Sequence, residues 1–346
     1  MKSKLMNFSH SSLAKHPEYY KDTLRLIETS LHYNDKNHFE IDFYPLMNPN
    51  NFRNNHILIN NEKKVIAHIG FKERELIIEK KTFPVVLVGG ICVDESLRGQ
   101  GLFKVFFEEC LQSYIEKNAL ILLWSDQSIL YEKFGFYQAG SINQMGNNIF
   151  DFKSAPEFIA KGSLDDKETF DEVKSIYKAG IQDKCLCLVR SESHWNEIHE
   201  IKSTELYLIK RAQITEGYFF KDKGEDLSGI IHEIAFRDNA EYYLDRLKEY
   251  QIWIPEHKYN KYPGIKNLYT CFMKIGSHEL FKDLIFSYTN EAIEILKIEQ
   301  NKVTFSFEGG TLELSTANFI QVVFGPGRAQ ELSKLRPLFI GGVDSI

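Results

Sequence analysis

The residues of this sequence best suited to chemistry form a glycine turn, RGQG at residues 98–101, between an apolar stretch and an amphipathic one. The apolar stretch, residues 83–93, predicts a strand, and residues 102–114 predict a helix. A helix N-terminus leaves backbone N–H groups unpaired and carries partial positive charge. Glycine permits left-handed backbone angles and the close approach of an anion. The turn therefore predicts a phosphate site.

The spacing of the glycines narrows the kind of phosphate group. The third glycine of a dinucleotide fingerprint is absent, and no Lys-Ser or Lys-Thr pair follows as in a nucleotide P-loop. The turn instead resembles the acetyl-CoA pyrophosphate loop of the GNAT superfamily of N-acetyltransferases, Arg/Gln-x-x-Gly-x-Gly/Ala. The matching positions hold Arg98, Gly101 and Phe103. Phe103 departs from the small residue of the pattern, which is typical of tandem acetyltransferases of the enhanced intracellular survival (Eis) type.

A second segment, DQSILYEKFGFYQAG, follows the predicted strand ALILLWS and resembles the other half of a GNAT site, Tyr-x-x-x-Gly-Phe. The matching residues are Tyr131, Gly135 and Phe136. Two motifs, each beside the element that the family places there, are much more specific than a glycine turn alone. The resemblance implies a GNAT fold for residues 1–150.

The elements that must position these motifs have the order helix, strands, glycine turn, helix, strand, which predicts a mixed α/β layer. Helices are predicted over residues 18–32 and 102–114, and strands over 56–59, 65–78, 83–93 and 119–124. The order recurs with helices over 167–179 and 240–250 and strands over 205–210, 217–221, 227–236 and 252–254. There FRDNAEYYLDRL replaces the glycine turn. The pattern predicts a diverged duplication whose second copy binds no phosphate.

From about residue 268 the pattern changes to a strand, a helix over 278–288, a three-strand meander and a helix over 316–324. Ser315 is the predicted N-cap of that last helix and Gly325 its C′ residue. Eis-type enzymes, which the chain resembles, combine a GNAT module, a GNAT-like module without a cofactor loop and a domain resembling sterol carrier proteins. We therefore predict an α/β fold (α+β mixed sheet) with tandem GNAT-like modules at residues 1–150 and 151–266. A small α+β sterol-carrier-protein-like unit follows at 267–346.

The resemblance also implies which residues act. GNAT enzymes hold the pantetheine arm and polarise the carbonyl with backbone groups of the strand before the loop, here Ile91, Cys92 and Val93. Tyr131 stands where the family keeps a tyrosine that protonates the thiolate, and an unperturbed phenol carries its proton at neutral pH. The residues expected to hold the phosphates of acetyl-CoA are Arg98, Gly99, Gln100, Gly101, Leu102, Phe103 and Lys104.

The sequence leaves the general base open. The strand before the loop carries no carboxylate, although many family members place one there. Glu73 on the preceding strand and Asp126 after Trp124 are candidates. The third is the terminal carboxylate of Ile346, because Eis-type enzymes bring their C-terminus into the site of the first module.

Composition excludes several classes of partner. A formal charge of −6 and a pI of about 6.0 argue against a nucleic-acid partner. Five scattered cysteines match no zinc or disulfide spacing, and His232 has no second ligand at metal spacing, so we expect free buried thiols, a core or interface histidine and no metal. The longest apolar run is about half the ~20 residues of a membrane span, and MKSKLMNFSHSS lacks the apolar segment of a leader, which predicts a cytoplasmic protein.

The predicted activity is transfer of an acetyl group from acetyl-CoA directly to a primary amine of a small molecule or peptide. Eis-type relatives tend to be hexameric, so the resemblance implies a homo-oligomer. Two alternatives stay open. One is a non-catalytic acyl-CoA-binding sensor. The other is a Fem-type aminoacyl transferase, which also has two GNAT-like modules but needs no acetyl-CoA loop.

Overall fold

The structure is a computed structural model that describes residues 8–34, 36–255 and 264–346. Residues 1–7 of the N-terminal segment that we predict not to be a leader lie outside the described residues. In the first part of the chain the strands are β1 (Phe8–Ser12), β2 (Asn55–Asn60), β3 (Val65–Ile78), β4 (Lys81–Val93), β5 (Leu120–Leu123), β6 (Tyr137–Ala139) and β7 (Ile142–Gln144). The helices there are α1 (Tyr20–Ser30), α2 (Phe39–Asp42), α3 (Tyr44–Met47), α4 (Leu102–Ile115) and α5 (Ser128–Glu132).

The remaining strands join the first sheet or belong to three further sheets. The strands are β8 (Ile159–Lys161), β9 (Cys187–Leu188), β10 (Glu205–Arg211), β11 (Ile214–Lys221), β12 (Ile231–Phe236), β13 (Trp253–Pro255), β14 (Lys266–Leu268), β15 (Cys271–Ile275), β16 (Ile293–Glu299), β17 (Lys302–Phe307) and β18 (Gly310–Ser315). The helices are α6 (Lys167–Tyr177), α7 (Glu192–His199), α8 (Ala240–Leu247), α9 (His278–Tyr288) and α10 (Thr316–Phe324). The described residues contain no helix with the length and apolar character to cross a membrane.

The main sheet has the strand order β1-β2-β3-β4-β5-β15-β6, with β9 attached to β3. All of its pairs are antiparallel except β4 with β5, which run parallel over residues 85–88 and 120–123. Side chains of β4 alternate between two cores: Val85 and Leu87 pack on the side of α1, and Val86 and Val88 pack on the side of α4. Burial of both faces explains why this strand is a continuous apolar run rather than an alternating one.

The strand β15 joins the last third of the chain to the first sheet, since it lies between β5 and β6 and is antiparallel to both. The sequence predicts a strand here but not its partners. Because both of those partners come from residues 1–150, the first and third predicted domains share one sheet. The boundaries at 150 and 266 stay a prediction.

The second half repeats the arrangement of the first. The strands β12, β11, β10 and β8 form a four-stranded antiparallel sheet. The chain then passes through α8 to β13, and Ile231 and Ile252 form a parallel bridge. The unit β12-α8-β13 therefore corresponds to β4-α4-β5, so the structure contains the duplicated arrangement that the sequence predicts. The predicted strand 227–236 begins only at Ile231, because the preceding loop turns at Gly224 and Gly229, both with positive φ.

The last unit is the predicted α+β unit. The strands β16, β17 and β18 form an antiparallel meander that packs against α9 and α10. The hydroxyl oxygen of Ser315 accepts the N–H of Asn318 at 3.2 Å, and Gly325 ends α10 with a φ of 94°. The predicted N-cap is confirmed, and Gly325 is the C-cap of α10, one position before the predicted C′.

Candidate active site

The glycine turn joins β4 to α4 and leaves its backbone exposed. Gly99 and Gly101 have φ of 75° and 76°, which L side chains rarely adopt, and Gly101 is the residue before the first turn of α4. A Cβ added to Gly99 would meet no atom within 4 Å. A short helical turn, Glu95–Leu97, precedes the glycines, and Asp94 caps it by accepting the N–H of Ser96 at 3.1 Å. The turn is thus open on its outer side and fixed at its beginning.

The residues around the glycines orient the turn. Arg98 donates from Nε to the backbone oxygen of Val93 at 3.2 Å, and Gln100 donates from Nε2 to that of Ser96 at 3.1 Å. Leu102 is buried, and Phe103 stacks on Phe107 with ring centroids 5.2 Å apart. Lys104 is exposed and lies 3.9 Å from Glu108, one helical turn away. The first apolar side chains of α4 therefore pack inward while the turn itself faces solvent.

The strands β4 and β5 separate beside this turn. Their pairing stops at Val88 and Leu123, whereas β4 continues along β3 to Val93. Among the described residues, no strand pairs with residues 89–93 on the side that β5 leaves. The backbone of Ile91 and Val93, with that of the intervening Cys92, therefore borders a gap in the sheet.

A bulge in β4 lies at the edge of this gap. The register of β4 against β3 shifts between Gly89 and Cys92, and Gly90 has a φ of 59°. The ring of His68 holds the bulge, because its Nδ1 lies 2.7 Å from the backbone oxygen of Gly90. Two glycines inside an apolar strand weaken it and commonly mark a bulge or a close backbone approach, so they were a sequence signal for this feature.

The last residue of the chain packs against the bulge. A Cβ added to Gly89 would lie 2.7 Å from the backbone carbon of Ile346 and 2.9 Å from its oxygen. The side chain of Ile346 is buried in the same core as Val85 and Leu87. The structure therefore brings Ile346, predicted as a catalytic residue, to the edge of the gap.

Buried ion pairs anchor the tail that ends at Ile346. Asp344 accepts from Nη2 of Arg74 and from Nε of Arg190, each at 2.9 Å. Arg190 also donates to Glu233, with Nη1 3.0 Å from Oε1, and its guanidinium lies 3.9 Å from the ring centre of Tyr177. Burial alone would raise the pKa of the Asp344 carboxyl, but the two guanidiniums lower it, so the group stays ionised.

Lys223 is a second anchor of the tail. Its Nζ donates to the backbone oxygens of Gly342 at 2.8 Å and Ser345 at 2.6 Å. Burial lowers the pKa of Lys223 to about 7. The tail glycines allow a close approach, since a Cβ added to Gly342 would lie 2.6 Å from the ring of His232. His232 is fully buried, as the sequence predicts for a core histidine.

Acidic groups gather beside this anchor. Partial burial raises the pKa of Asp226, and the neighbouring charges of Asp42, Glu225 and Asp126 raise it further, while that of Lys223 opposes the change. These carboxyls come from α2, from the loop that holds Lys223 and from the segment after β5. They come from both of the first two predicted modules, and Lys223 lies among them.

Tyr131 lies on α5 with 6% of its surface exposed. Its ring packs edge-on against Phe107 and Phe136, with centroids 6.0 and 6.2 Å apart. Burial and the charge of Asp126 raise the pKa of the phenol, so the hydroxyl keeps its proton at neutral pH. No described residue accepts a hydrogen bond from it.

The other predicted groups lie as follows. Glu73 pairs with Arg53 at 3.2 Å and is 45% exposed. Because successive strand residues point to opposite faces, Glu73 lies on the other face of β3 from Arg74 and the tail. Asp126 is exposed in the segment after β5. Cys92 is a buried free thiol whose pKa burial raises to about 12, which does not suit a nucleophile.

Sequence reasoning missed the groups that hold the tail. The partners of Asp344 lie 270 and 154 residues away along the chain. No local pattern in a single sequence connects such positions. The charges of Arg190 and Glu233, next to or inside apolar stretches, were the one available signal, since charged residues are rarely fully buried unless paired.

The sequence and the fold were compared with those of known proteins. Residues 14–139 match the family model described as Acetyltransferase (GNAT) domain. No curated protein sequence matches the chain. The fold is similar to that of a probable N-acyltransferase of unknown function from Enterococcus faecalis V583, at 12% identity and a TM-score of 0.60 over 91% of this chain and 89% of that chain.

Two further solved structures cover nearly the whole chain. A GCN5-related N-acetyltransferase from Kribbella flavida is 10% identical, with a TM-score of 0.60 over 98% of this chain and 99% of that chain. Eis1 from Mycobacterium abscessus is 11% identical, with a TM-score of 0.59 over 98% of both chains. At these identities the similarity establishes the fold, including the tandem arrangement.

Proposed function

We propose that this acyltransferase, which carries a GNAT acetyltransferase domain at residues 14–139, moves an acetyl group from acetyl-CoA to an amine. The amine would be a primary amine of a small molecule or peptide. The GNAT domain implies that the donor is an acyl-CoA. That the acyl group is acetyl and that the acceptor is an amine are our proposal. One observation carries it: the exposed glycine turn, the unpaired edge of β4 and the end of the chain at Gly89 adjoin one another.

The residues present fit the donor. The open space around Gly99 leaves room for a pyrophosphate at the start of α4, where unpaired N–H groups and the helix dipole favour an anion. The phosphates would be held by residues 98–104, and the pantetheine arm by the backbone of residues 91–93. When bound, acetyl-CoA supplies a thioester carbonyl and a thiolate leaving group. The chain supplies positioning, which makes the attack effectively intramolecular.

Two groups of the chain are proposed to move protons. As the amine nitrogen bonds to the thioester carbon, the carboxylate that Ile346 carries in this chain accepts the proton that the nitrogen loses. As the carbon–sulfur bond breaks, the hydroxyl of Tyr131 donates its proton to the sulfur. Ile346 is preferred to Glu73 as the base because it lies at the bulge of β4, whereas Glu73 is paired with Arg53.

The acidic groups beside the tail support a cationic acceptor. Asp42, Asp126, Glu225 and Asp226 would attract an amine that carries a second positive charge. We therefore expect kcat/KM for a diamine to exceed that for the monoamine of equal length and to fall as salt screens the field. Equal values for the two amines at low salt would contradict this acceptor class.

The deciding experiment is thermal unfolding with and without acetyl-CoA, on the wild type and on Gly101→Glu, followed by thiol release with a panel of amines. Cofactor at 100 times its dissociation constant should stabilise the wild type by about 2.7 kcal/mol and leave the variant unchanged, because the glutamate would repel the phosphates. Amine-dependent thiol release would then establish the enzyme. Stabilisation without thiol release would indicate the acyl-CoA sensor, and absence of both would leave the Fem-type transferase.

The proposal also covers the cellular compartment and the oligomeric state. The five cysteines are free and buried, which supports a reducing compartment such as the cytoplasm. We also propose a homo-oligomer, to be measured by light scattering on the purified chain. A monomeric mass at micromolar concentration would contradict it.

A further inference from the structure

Three residues with metal-binding side chains meet away from the site described above. His10 lies on β1, His56 on β2 and Cys110 on α4. In the register of the two strands His10 faces Leu58 and Ser12 faces His56, so the histidines are diagonal neighbours on one face of the sheet. Cys110 is buried on the side of α4 that packs against this face. The fold therefore gathers three residues that lie far apart in sequence.

Two of the three distances between the ligand atoms are close to the edges of a tetrahedral site. His10 Nε2 is 3.1 Å from His56 Nδ1 and 3.8 Å from Cys110 Sγ, and all three atoms lie within 4.8 Å of one another. Metal–nitrogen bonds of about 2.0 Å and metal–sulfur bonds of about 2.3 Å give a nitrogen–nitrogen edge of about 3.3 Å and a nitrogen–sulfur edge of about 3.5 Å. Small movements of the side chains would be enough for the three residues to bind an ion.

The outer ring nitrogens of the two histidines are already held by other groups. His10 Nδ1 lies 2.9 Å from Glu109 Oε1, and His56 Nε2 lies 3.0 Å from the hydroxyl of Tyr114. Metal-ligating histidines almost always donate their second N–H to a carboxylate or another oxygen, which orients the ring and makes the ligating nitrogen more basic. Here the two remaining nitrogens face each other, and that of His10 also faces the thiol of Cys110.

We propose that His10, His56 and Cys110 bind a thiophilic transition metal, for which Zn²⁺ fits best. Two imidazoles and one thiolate are ligands that zinc prefers, and three protein ligands leave a fourth position for water. The side chains of His10 and Glu109 are 25% and 49% exposed, so this side of the cluster is open to solvent. The sequence predicted no metal because these ligands follow no spacing along the chain.

Binding is balanced by the release of one proton. Without metal, the hydrogen bond between the histidines carries a proton on one of the two facing nitrogens. On metal binding that proton moves, by exchange with solvent, to the outer nitrogen of the same ring. His10 then carries its proton on Nδ1 toward Glu109, and His56 carries its proton on Nε2 toward Tyr114, whose hydroxyl lies 3.3 Å from Asn54 Oδ1. The thiol proton of Cys110 leaves to solvent. The ion would link the edge strand β1 to α4, the helix that follows the glycine turn.

The test uses the full chain without a polyhistidine tag, reduced and stripped of metal, and titrated with Co²⁺ and then Zn²⁺. We expect one ion per chain and a thiolate-to-cobalt charge-transfer band in the wild type. Cys110→Ser should abolish that band, whereas Cys271→Ser, which removes an equally buried thiol elsewhere, should keep it. Glu109→Gln should weaken the affinity about tenfold, because it removes the charge behind His10.

The opposite results are equally definite. No ion bound at stoichiometric concentration, a band that survives in Cys110→Ser, or a band that disappears in Cys271→Ser would overturn the proposal. His10→Gln replaces a partly exposed ligand on an edge strand and serves where Cys110→Ser does not fold. An unchanged Zn²⁺ affinity in His10→Gln would refute the site without reference to Cys110.

Discussion

At the scale of single residues, the proposed chemistry depends on one hydroxyl. We expect Tyr131→Phe to lower kcat about 100-fold with little change in KM, because the general acid is lost while the ring keeps its contacts with Phe107 and Phe136. Stability should change little, since no described residue accepts a hydrogen bond from this hydroxyl. Steady-state thiol release and thermal unfolding would measure both effects.

Tyr137→Phe is the matched control, because Tyr137 is a half-buried tyrosine on the neighbouring strand β6. It should leave kcat within about twofold of the wild type. A Tyr131→Phe variant with wild-type kcat would show that Tyr131 only packs in the core.

At the scale of elements, the contact between β4 and the tail is the feature to disturb. Gly89→Ala would place a methyl group 2.7 Å from the backbone of Ile346, so the tail must move away from the gap. We expect kcat to fall at least tenfold while the binding of acetyl-CoA is retained, because the glycine turn is untouched. Single-turnover thiol release and calorimetric titration with acetyl-CoA would separate the two effects.

Gly310→Ala provides the control for that substitution. A Cβ at this position on β18 would meet only the oxygen of Phe307, at 3.7 Å. Its activity should match that of the wild type. Full activity in Gly89→Ala would mean that the position of Ile346 does not matter for the reaction.

At the scale of the whole molecule, buried charges join segments that are distant in sequence. Asp344→Asn would leave the guanidinium of Arg74 without its buried countercharge and leave Arg190 paired with Glu233 alone. Loss of one partner from a buried ion pair costs about 3–5 kcal/mol, so we expect a loss of that order in the free energy of unfolding. Asp283→Asn, at an exposed pair with Lys81, should cost less than about 0.5 kcal/mol.

Urea unfolding of the two Asp→Asn variants beside the wild type would measure these differences. Equal stability of Asp344→Asn and Asp283→Asn would show that the tail contributes nothing to holding the modules together.

The pKa of Lys223 makes a separate prediction about pH. The folded value of about 7 lies below the ordinary 10.5, so between these values the unfolded chain binds a proton that the folded chain does not. Stability from this group therefore rises with pH across that window, by at most about 1.4 kcal/mol per unit, and is lost as pH falls toward 7. Urea unfolding at about pH 7.5 and 9 should give a flatter dependence for Lys223→Met than for the wild type. Parallel dependences would contradict the shift.

Much of the fold could be predicted from the sequence because it depends on short-range patterns. The bounds of β3, α9 and α10 match the predicted residues, since hydrophobic periodicity and caps such as Ser315 act within a few residues. The glycine turn was recognisable for the same reason, because positive φ at Gly99 and Gly101 is a local steric requirement. The edge strand β1 was missed, since FSHSS is polar and lacks a clear alternation.

What the sequence determined by itself was therefore the order of the elements, the duplicated pattern and the turn that suits a phosphate. Only the tertiary structure decided that β15 enters the first sheet, that Ile346 meets Gly89, and that Asp344 lies between two arginines. The tertiary structure alone also brings His10, His56 and Cys110 together. The physical reason is that these contacts join residues a hundred or more positions apart, or come from different layers. They form only when the packing of whole layers against one another brings the chain segments together.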